Sequence, residues 1–184
     1  MRNEMGSFVA ADNTKCTGCK ACEMACFAVH NQGNHVGNTV GTVELPITAR
    51  LYVTRAEELC MPVQCRHCDN SPCLNSCTAG AIRREEEKII IDEDKCIGCK
   101  NCMMACPFGA IELVPVYRAG KEVLLPGSTE VRKTASKCDL CVKRGIPACV
   151  NACPNQALSL VTPEAELADK RIQAALALAL TNQA

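Results

Sequence analysis

Cysteine dominates the chemistry available to this chain of 184 residues. Sixteen of its seventeen cysteines form four groups of four, and every group opens with two cysteines separated by two residues. Two groups share the full spacing C-x2-C-x2-C-x3-C, and the other two lengthen only the gap before the third cysteine. In chain order the groups are Cys16, Cys19, Cys22 and Cys26; Cys65, Cys68, Cys73 and Cys77; Cys96, Cys99, Cys102 and Cys106; and Cys138, Cys141, Cys149 and Cys153.

This spacing suits iron-sulfur clusters. A cubane 4Fe-4S cluster needs four thiolates that converge on the corners of a tetrahedron, and one short loop can supply three of them. The full spacing is typical of bacterial ferredoxins, in which the fourth cysteine precedes a proline and ligates the other cluster of a pair. Pro107 and Pro154 follow the fourth cysteine of the third and fourth groups, whereas Phe27 and Thr78 stand at the corresponding positions of the first two. Four groups predict four 4Fe-4S clusters.

Disulfides and zinc are the competing uses of so many cysteines. A disulfide scaffold is typical of short secreted chains, but the fifteen residues before Cys16 contain no apolar segment of the kind a signal peptide has. Zinc ribbons need two C-x2-C pairs about 15 to 20 residues apart, without a third cysteine or a following proline. Iron is therefore favoured, and iron and acid-labile sulfide analysis separates it from zinc.

The bulk composition agrees with a metal-stabilised fold. The chain has no Trp, two Tyr and three Phe, so the aromatic contribution to a conventional core is small. The free energy of metal binding can stabilise the fold in place of an aromatic core. The protein without metal is therefore expected to be largely unfolded. The formal net charge is zero, but four thiolate-bound clusters at about two negative charges each would bring it to about minus eight.

Residues beside the cysteines are expected to influence cluster potentials. Gly18 and Gly98 lie in the C-x-G-C loops, where glycine lets the backbone turn tightly and direct N–H groups at sulfur. Basic side chains adjacent to the groups could compensate cluster charge, or could form only a solvated face; both interpretations remain open. They are Lys15, Lys20, Lys95, Lys100, Lys137, Lys143 and Arg66.

The sequence argues against binding to nucleic acid and against a membrane span. The sequence has no basic run and almost no aromatic stacking surface, which argues against nucleic acid. No apolar stretch approaches the roughly 20 residues of a membrane-spanning helix. Cysteines stay reduced in the cytosol, so a cytoplasmic location is expected.

The linkers predict which groups pair. Only eighteen residues separate Cys77 from Cys96 and they read as a hairpin, with a charged turn over 83–87 and a strand at Lys88–Asp92. The second and third groups should be neighbours, which leaves the first and fourth to each other. Exchange of the last cysteine, as in two-cluster ferredoxins, then predicts four ligand sets: Cys16, Cys19, Cys22 and Cys153; Cys138, Cys141, Cys149 and Cys26; Cys65, Cys68, Cys73 and Cys106; and Cys96, Cys99, Cys102 and Cys77.

The predicted fold is therefore α+β, with two bacterial-ferredoxin-like modules, one inserted in the other. Module A comprises residues 1–55 and 112–161, and module B comprises residues 56–111. The segments 27–64 and 107–137 exceed what a compact ferredoxin needs, and such added surface usually serves partners. Predicted helices are Ala21–His30 and Asn101–Ala105, and predicted strands are Phe8–Ala11, Arg50–Thr54, Ala110–Val114, Glu122–Leu125 and Ala157–Val161.

The C-terminal segment, residues 162–184, has a different character. Thr162, Pro163 and Glu164 are a favourable helix start, since they supply an N-cap, a proline at the first position and an acid at the positive end of the dipole. The run Ala174–Leu180 then carries too many leucines for one helical stripe. A helix that docks on another subunit or another copy is expected, with a helix folded back on its own body as the alternative.

The cysteine groups, together with D-x-D-K-C-I-G-C-K-N-C at 92–102 and Q-C-R-H-C at 64–68, resemble a known family over residues 7 to 161. It comprises the four-cluster polyferredoxin subunits of formate dehydrogenases, formate hydrogenlyase and soluble hydrogen-dependent carbon dioxide reductases. The resemblance implies that this chain relays electrons to or from a catalytic subunit. That partner is a molybdenum or tungsten formate dehydrogenase-type subunit, a hydrogenase catalytic subunit, or both. It also implies no catalysis by this chain itself. The oxygen sensitivity of exposed reduced clusters predicts an anaerobic source. A free polyferredoxin carrier and a formate dehydrogenase maturation accessory protein are the alternatives.

Two residues near the groups are assigned no redox role. His67 lies between two cysteines of the second group, but sixteen thiols already satisfy four clusters, so a structural or surface role is expected. Cys60 is the seventeenth cysteine and is expected to be a buried free thiol.

Overall fold

The computed structural model describes residues 6–34, 45–142 and 144–181, with side chains described through residue 179. Helices and strands are mixed, and in these ranges the strands form two-stranded antiparallel sheets. The helices are α1 Ala21–His30, α2 Pro72–Asn75, α3 Asn101–Ala105, α4 Ala148–Asn151 and α5 Pro163–Thr181. The strands are β1 Phe8–Ala11, β2 Leu51–Ala56, β3 Leu59–Gln64, β4 Ile82–Glu85, β5 Lys88–Ile91, β6 Glu112–Pro115, β7 Tyr117–Arg118, β8 Lys121–Glu122, β9 Lys133–Ser136 and β10 Leu158–Val161.

The first and last strands pair with each other. In the β1–β10 ladder Phe8 lies opposite Val161 and Ala11 lies opposite Leu158. Helix α1 packs against α4 on the same part of the molecule. The regions that carry the first and fourth cysteine groups are therefore in contact, although most of the chain separates them in sequence.

The middle of the chain forms a strand hairpin and a helix pair. Strands β4 and β5 make a hairpin, and α2 packs against α3. The hairpin predicted from sequence is confirmed, but its turn is shorter than expected. The charged residues 83–85 continue strand β4, so that only Glu86 and Glu87 form the turn, with Glu86 in the left-handed region at φ 51°.

The added segments form further hairpins. Strands β2 and β3 pair along their full length, and β6 pairs with β9. The strand predicted at Glu122–Leu125 is only partly present, because β8 ends at Glu122 and Leu124 makes a single bridge to Val131. The two helices predicted before the C-terminus begin and end at the predicted residues, and Phe8–Ala11 is confirmed as a strand.

Cysteines form much of the buried core. One cluster packs Cys22, Cys26, Cys65, Cys138 and Cys149 with Val9, Leu51, Leu140 and Leu158. A second packs Cys73 and Cys102 with Ile82, Ile89 and Ile111. Because thiols take the place of large apolar side chains here, the core depends on what the cysteines bind.

The C-terminal helix α5 begins where the sequence predicts. Thr162 Oγ1 accepts a hydrogen bond from the N–H of Ala165 at 3.3 Å, and Pro163 is the first helical residue. Side chains on every face of the described part of α5 are largely exposed, including Ile172, Leu176 and Leu178 at more than half of their area. The apolar side chains in this described part of α5 therefore lie outside the core.

Candidate iron-sulfur sites

The first and third cysteine groups fold alike. In each, a glycine of the C-x-G-C loop and the lysine before the helix lie in the left-handed region: Gly18 at φ 73° and Lys20 at φ 60°, Gly98 at φ 70° and Lys100 at φ 70°. Only glycine adopts this conformation without steric cost. The turn places two cysteines in the loop and delivers the third, Cys22 on α1 or Cys102 on α3, from the helix that follows.

One apolar cavity is lined by Cys77, Cys96, Cys99 and Cys102. Three of these cysteines come from the loop and helix of the third group, and Cys77 comes from the second. Burial raises the pKa of the Cys102 thiol, with Cys96 and Cys77 adding to the effect. The structure thus brings together one of the four predicted ligand sets.

A second cavity is lined by Cys65, Cys68, Cys73 and Cys106. Burial raises the pKa of Cys73 to about 11, and the neighbouring thiols of Cys65 and Cys106 act in the same direction. The fourth cysteine of the third group therefore lies with the first three of the second. These two cavities contain the cysteines of the exchange predicted for the middle of the chain.

Cys26 lies with cysteines of the fourth group. Burial raises the pKa of the Cys149 thiol to about 12, and the neighbouring thiols of Cys26 and Cys141 act in the same direction. Burial also raises the pKa of the Cys138 thiol, and Cys149, Cys65 and Cys26 add to the shift. The last cysteine of the first group is therefore a neighbour of the fourth group.

The remaining predicted set is Cys16, Cys19, Cys22 and Cys153, from the first and fourth groups. Burial raises the pKa of Cys22 to about 11, and Cys16 contributes as a neighbour. Cys153 packs against the same apolar cluster as Cys22. The amide of Asn155 donates to Thr17 Oγ1 at 3.0 Å, so the loop after Cys153 touches the loop of the first group.

Backbone N–H groups point at cysteine sulfur in every group. Hydrogen bonds of this kind help to set the reduction potential of a bound cluster. Two of these contacts join residues distant in sequence and depend on the tertiary fold, and the other three are made by residues two or four positions after the cysteine. They are Arg50 to Cys26 at 3.3 Å, His67 to Cys65 at 3.4 Å, Ala135 to Cys96 at 3.3 Å, Leu140 to Cys138 at 3.4 Å and Ala157 to Cys153 at 3.3 Å.

A polar network that the sequence did not reveal borders Cys26 and Cys141. Asp139 accepts from His30 Nε2 at 3.0 Å, from Arg50 at 2.8 Å and from the N–H of Cys141 at 2.9 Å. His30 Nδ1 lies 3.5 Å from Cys26 Sγ. Burial opposes protonation of His30, but its contacts with Asp139 and Cys26 raise its pKa to about 10. Burial also disfavours the Asp139 carboxylate, yet His30 and Arg50 hold its pKa well below its usual range.

The basic residues beside the cysteines divide into surface and buried groups. Lys15, Lys20 and Lys95 are exposed and pair with carboxylates, which agrees with a solvated face. Arg66 lies over the ring of Phe8, with its guanidinium carbon 4.7 Å from the ring centroid. Lys137 is 3% exposed and differs from the others. Lys100 is exposed, and Lys143 lies outside the described residues.

His67 and Cys60 differ in burial. His67 is fully buried, which agrees with a structural role: its Nδ1 accepts from the N–H of Ile89 at 3.0 Å, and burial, followed by the charge of Lys137, lowers its pKa to about 3. The expectation that Cys60 is buried is wrong, because its side chain is partly exposed. Its thiol packs beside Gly18, where a β-carbon would come within 2.6 Å of Sγ.

The donor sets fit 4Fe-4S clusters. Four soft thiol ligands line each of the two cavities, in apolar surroundings that limit solvent access. The raised pKa values of the buried thiols mean that metal binding must displace protons. Thiols held this close together, without disulfides among the described cysteines, are suited to metal ligation.

The helices in the described ranges do not include one that is both long and apolar enough to cross a membrane. Models of the 4Fe-4S dicluster domain match residues 56–117 and 88–154, and a model of a 4Fe-4S binding domain matches residues 13–26. These matches cover the cysteine groups, so the chain binds 4Fe-4S clusters, and the four groups correspond to four of them.

Curated relatives match along most of the chain. Electron transport protein HydN of Escherichia coli strain K12 is 39% identical over 85% of this chain and 89% of its own length. Hydrogenase-4 component A of the same strain is 38% identical over 86% of this chain and 83% of its own length. An iron-sulfur protein of Rhodospirillum rubrum is 37% identical over 85% of this chain and 83% of its own length.

Two longer relatives share the same region. The chain spans about a fifth of the length of the Escherichia coli oxidoreductases AegA and UacF, to which it is 42% and 38% identical. All of these matches share the iron-sulfur region, and the relatives matched over most of their own length include electron transport proteins. The chain therefore belongs to the family of iron-sulfur electron-transfer proteins built from 4Fe-4S dicluster domains.

Proposed function

We propose that this chain is a non-catalytic electron relay between the catalytic subunits of a multi-subunit oxidoreductase. When bound, each 4Fe-4S cluster supplies a one-electron carrier. The residues of this chain hold the clusters, exclude water and direct N–H groups at sulfur. The observation that carries the proposal is that cysteines distant in sequence line the same cavities, so one fold can hold several clusters close together.

The proposed ligand sets follow the crosswise exchange. The cavities lined by Cys77 with Cys96 and by Cys106 with Cys65 support two of them. The proximity of Cys26 to Cys149 supports the third. The fourth set contains Cys153, supported by the contact between Asn155 and Thr17.

The proposed architecture has module B, residues 56–111, inserted into module A, residues 1–55 and 112–161. Pairing of β1 with β10 and packing of α1 on α4 support a module made from both ends of the chain. The β4–β5 hairpin and the α2–α3 contact support a module made from its middle.

The proposed partners are a hydrogenase catalytic subunit, a molybdenum or tungsten formate dehydrogenase-type subunit, or both. The name of the relative hydrogenase-4 component A supports the first of these. The side chains of Ile172, Leu176 and Leu178, each more than half exposed, support docking of this helix on a partner or on another copy. Because free thiolate ligands need a reducing compartment, the proposed location is the cytoplasm.

Affinity purification from the native source under anaerobic conditions tests the relay. The chain is expected to travel with an oxidoreductase catalytic subunit and to contain about sixteen iron atoms. Addition of that subunit's substrate should bleach the visible cluster absorbance of the complex. Recovery of the chain alone, with clusters that an oxidoreductase reduces without forming a stable complex, would contradict the relay and leave a free carrier.

A further inference from the structure

A lysine directly precedes the first cysteine in three of the four groups: Lys15, Lys95 and Lys137. Lys15 and Lys95 belong to matching D-x-x-K-C turns and behave alike. Each is more than half exposed and reaches back to the aspartate of its turn, Asp12 at 3.4 Å or Asp92 at 3.8 Å. Exposed pairs of this kind are screened by solvent and contribute little.

Lys137 occupies the same position but faces inward. It follows strand β9 instead of a D-x-x turn, and its side chain is 3% exposed. Its Nζ donates to the carbonyl oxygen of Ile89, and to the carbonyl oxygen of Cys138 at 3.0 Å. In the described part of the chain, no carboxylate forms an ion pair with it.

The ammonium group joins the two regions of cysteine sites. Ile89 lies on β5 of the middle region. Its N–H donates a hydrogen bond to His67 Nδ1, and its carbonyl oxygen accepts one from Lys137 Nζ. Ile89 also lines the cavity that contains Cys65, Cys68, Cys73 and Cys106. Lys137 therefore connects the strand beside the second group to the start of the fourth.

Two cysteine sites approach each other at this place. Cys65 and Cys138 pack in the same buried apolar cluster. Each belongs to a different proposed ligand set. Lys137 is adjacent to one of these sites through Cys138 and to the other through Ile89, which lines its cavity.

A buried ammonium without a counter-charge is costly, because neutral carbonyl oxygens replace only part of its hydration. Negative charge in the two neighbouring sites, each with four thiolates, would compensate it. We infer that Lys137 is a buried counter-charge shared by the two cluster sites at the contact between the modules, and that it raises the reduction potentials of those two clusters. This inference rests on the proposed ligand sets.

The physical basis is differential stabilisation. Reduction adds one negative charge to a cluster, and a fixed positive charge nearby stabilises the reduced form more than the oxidised form. In a buried site this interaction is weakly screened, whereas at Lys15 or Lys95 solvent screens it. Lys137 thus stabilises the electron on the two clusters that lie where the modules meet.

The test is a redox titration, followed by electron paramagnetic resonance, of the anaerobically purified protein with its clusters. Lys137→Met is compared with Lys137→Arg, which keeps the charge, and with Lys95→Met, which removes an exposed lysine at the matched position. In Lys137→Met, one or two clusters are expected to become harder to reduce by roughly tenfold, about 59 mV for one electron. In Lys137→Arg and Lys95→Met all potentials should stay within about threefold of the wild type.

Each outcome decides between charge and packing. Unchanged potentials in a Lys137→Met protein that retains four clusters would overturn the inference and leave the ligand sets standing. If Lys137→Met fails to load clusters but Lys137→Arg loads them, the requirement is for charge, as inferred. If both variants fail while Lys95→Met loads normally, Lys137 has a packing role and the inference is wrong. Wild-type protein without four clusters would instead contradict the proposed function.

Discussion

Gly18 lies directly against the thiol of Cys60, so that a β-carbon at position 18 would stand 2.6 Å from Cys60 Sγ. This contact connects the loop of the first cysteine group to strand β3. It also gives the seventeenth cysteine a defined neighbour, although the spacing of the cysteines assigns Cys60 no role. The close approach and the left-handed conformation of Gly18 both require glycine.

Gly18→Ala is expected to impair loading of the first cluster site. The substitution adds a clash with Cys60 and left-handed strain of about 1 kcal/mol. Cluster content, measured as iron and acid-labile sulfide per chain, should fall by about one cluster. Gly33→Ala is the control, because a β-carbon at position 33 would meet none of the described residues within 4 Å and the φ of Gly33 is not in the left-handed region.

A second substitution separates the two causes. Cys60→Ala in the Gly18→Ala background removes the sulfur but leaves the strained φ, so loading should recover in part. No recovery would show that backbone strain alone accounts for the loss. Full recovery would show that strain at Gly18 is unimportant.

Asp139→Ala is expected to destabilise the protein. Asp139 accepts from His30, Arg50 and the N–H of Cys141, and its loss leaves these partly buried donors without their acceptor. Charge-assisted hydrogen bonds of this kind contribute about 2 kcal/mol. For a chain of this size, losing that free energy lowers the midpoint of thermal unfolding by about 4 to 8 °C.

The measurement is the temperature at which half of the visible cluster absorbance is lost under anaerobic conditions. Asp69→Ala is the matched control, because Asp69 also follows a cysteine of a C-x2-C pair but is exposed. Equal midpoints for the two variants would mean that the network around Asp139 does not support the fold.

Removal of iron is expected to unfold the cysteine-containing core. Both main core clusters pack cysteines among few large side chains, so the metal-free thiols leave a weakly packed interior. Amide hydrogen exchange after chelation should show lost protection in β1, β5 and β10. Helix α5 lies outside that core and serves as the internal control. Protection in the strands that survives chelation would contradict this account.

Much of the local structure follows from sequence, because local interactions set it. The spacing of the cysteines, the breaks at Gly18 and Gly98 and the cap at Thr162 predict helices and loops that the structure contains. The His30–Asp139–Arg50 network and the burial of Lys137 were not predictable, since they depend on how distant segments meet. Lys137 and Lys95 show this well: the same position before a cysteine is buried in one group and exposed in another.

Truncation after Val161 tests the role proposed for α5. Because the side chains of α5 are largely exposed and outside the core, a chain of residues 1–161 should keep all four clusters and its visible spectrum. It should lose association with partners or with other copies, as measured by light scattering on the anaerobic complex. Retention of the full assembly would show that α5 is not the docking element. Loss of clusters would show instead that it supports the fold.

The crosswise exchange of ligands is tested most directly by counting clusters in paired cysteine variants. In the exchanged arrangement Cys26 and Cys138 hold the same cluster, whereas Cys26 and Cys22 hold different ones. Spin integration of the reduced protein should therefore find three 4Fe-4S clusters in the Cys26→Ala, Cys138→Ala double variant. It should find two in the Cys22→Ala, Cys26→Ala double variant. The reverse result, two and then three, would contradict the exchange and show that each group holds its own cluster.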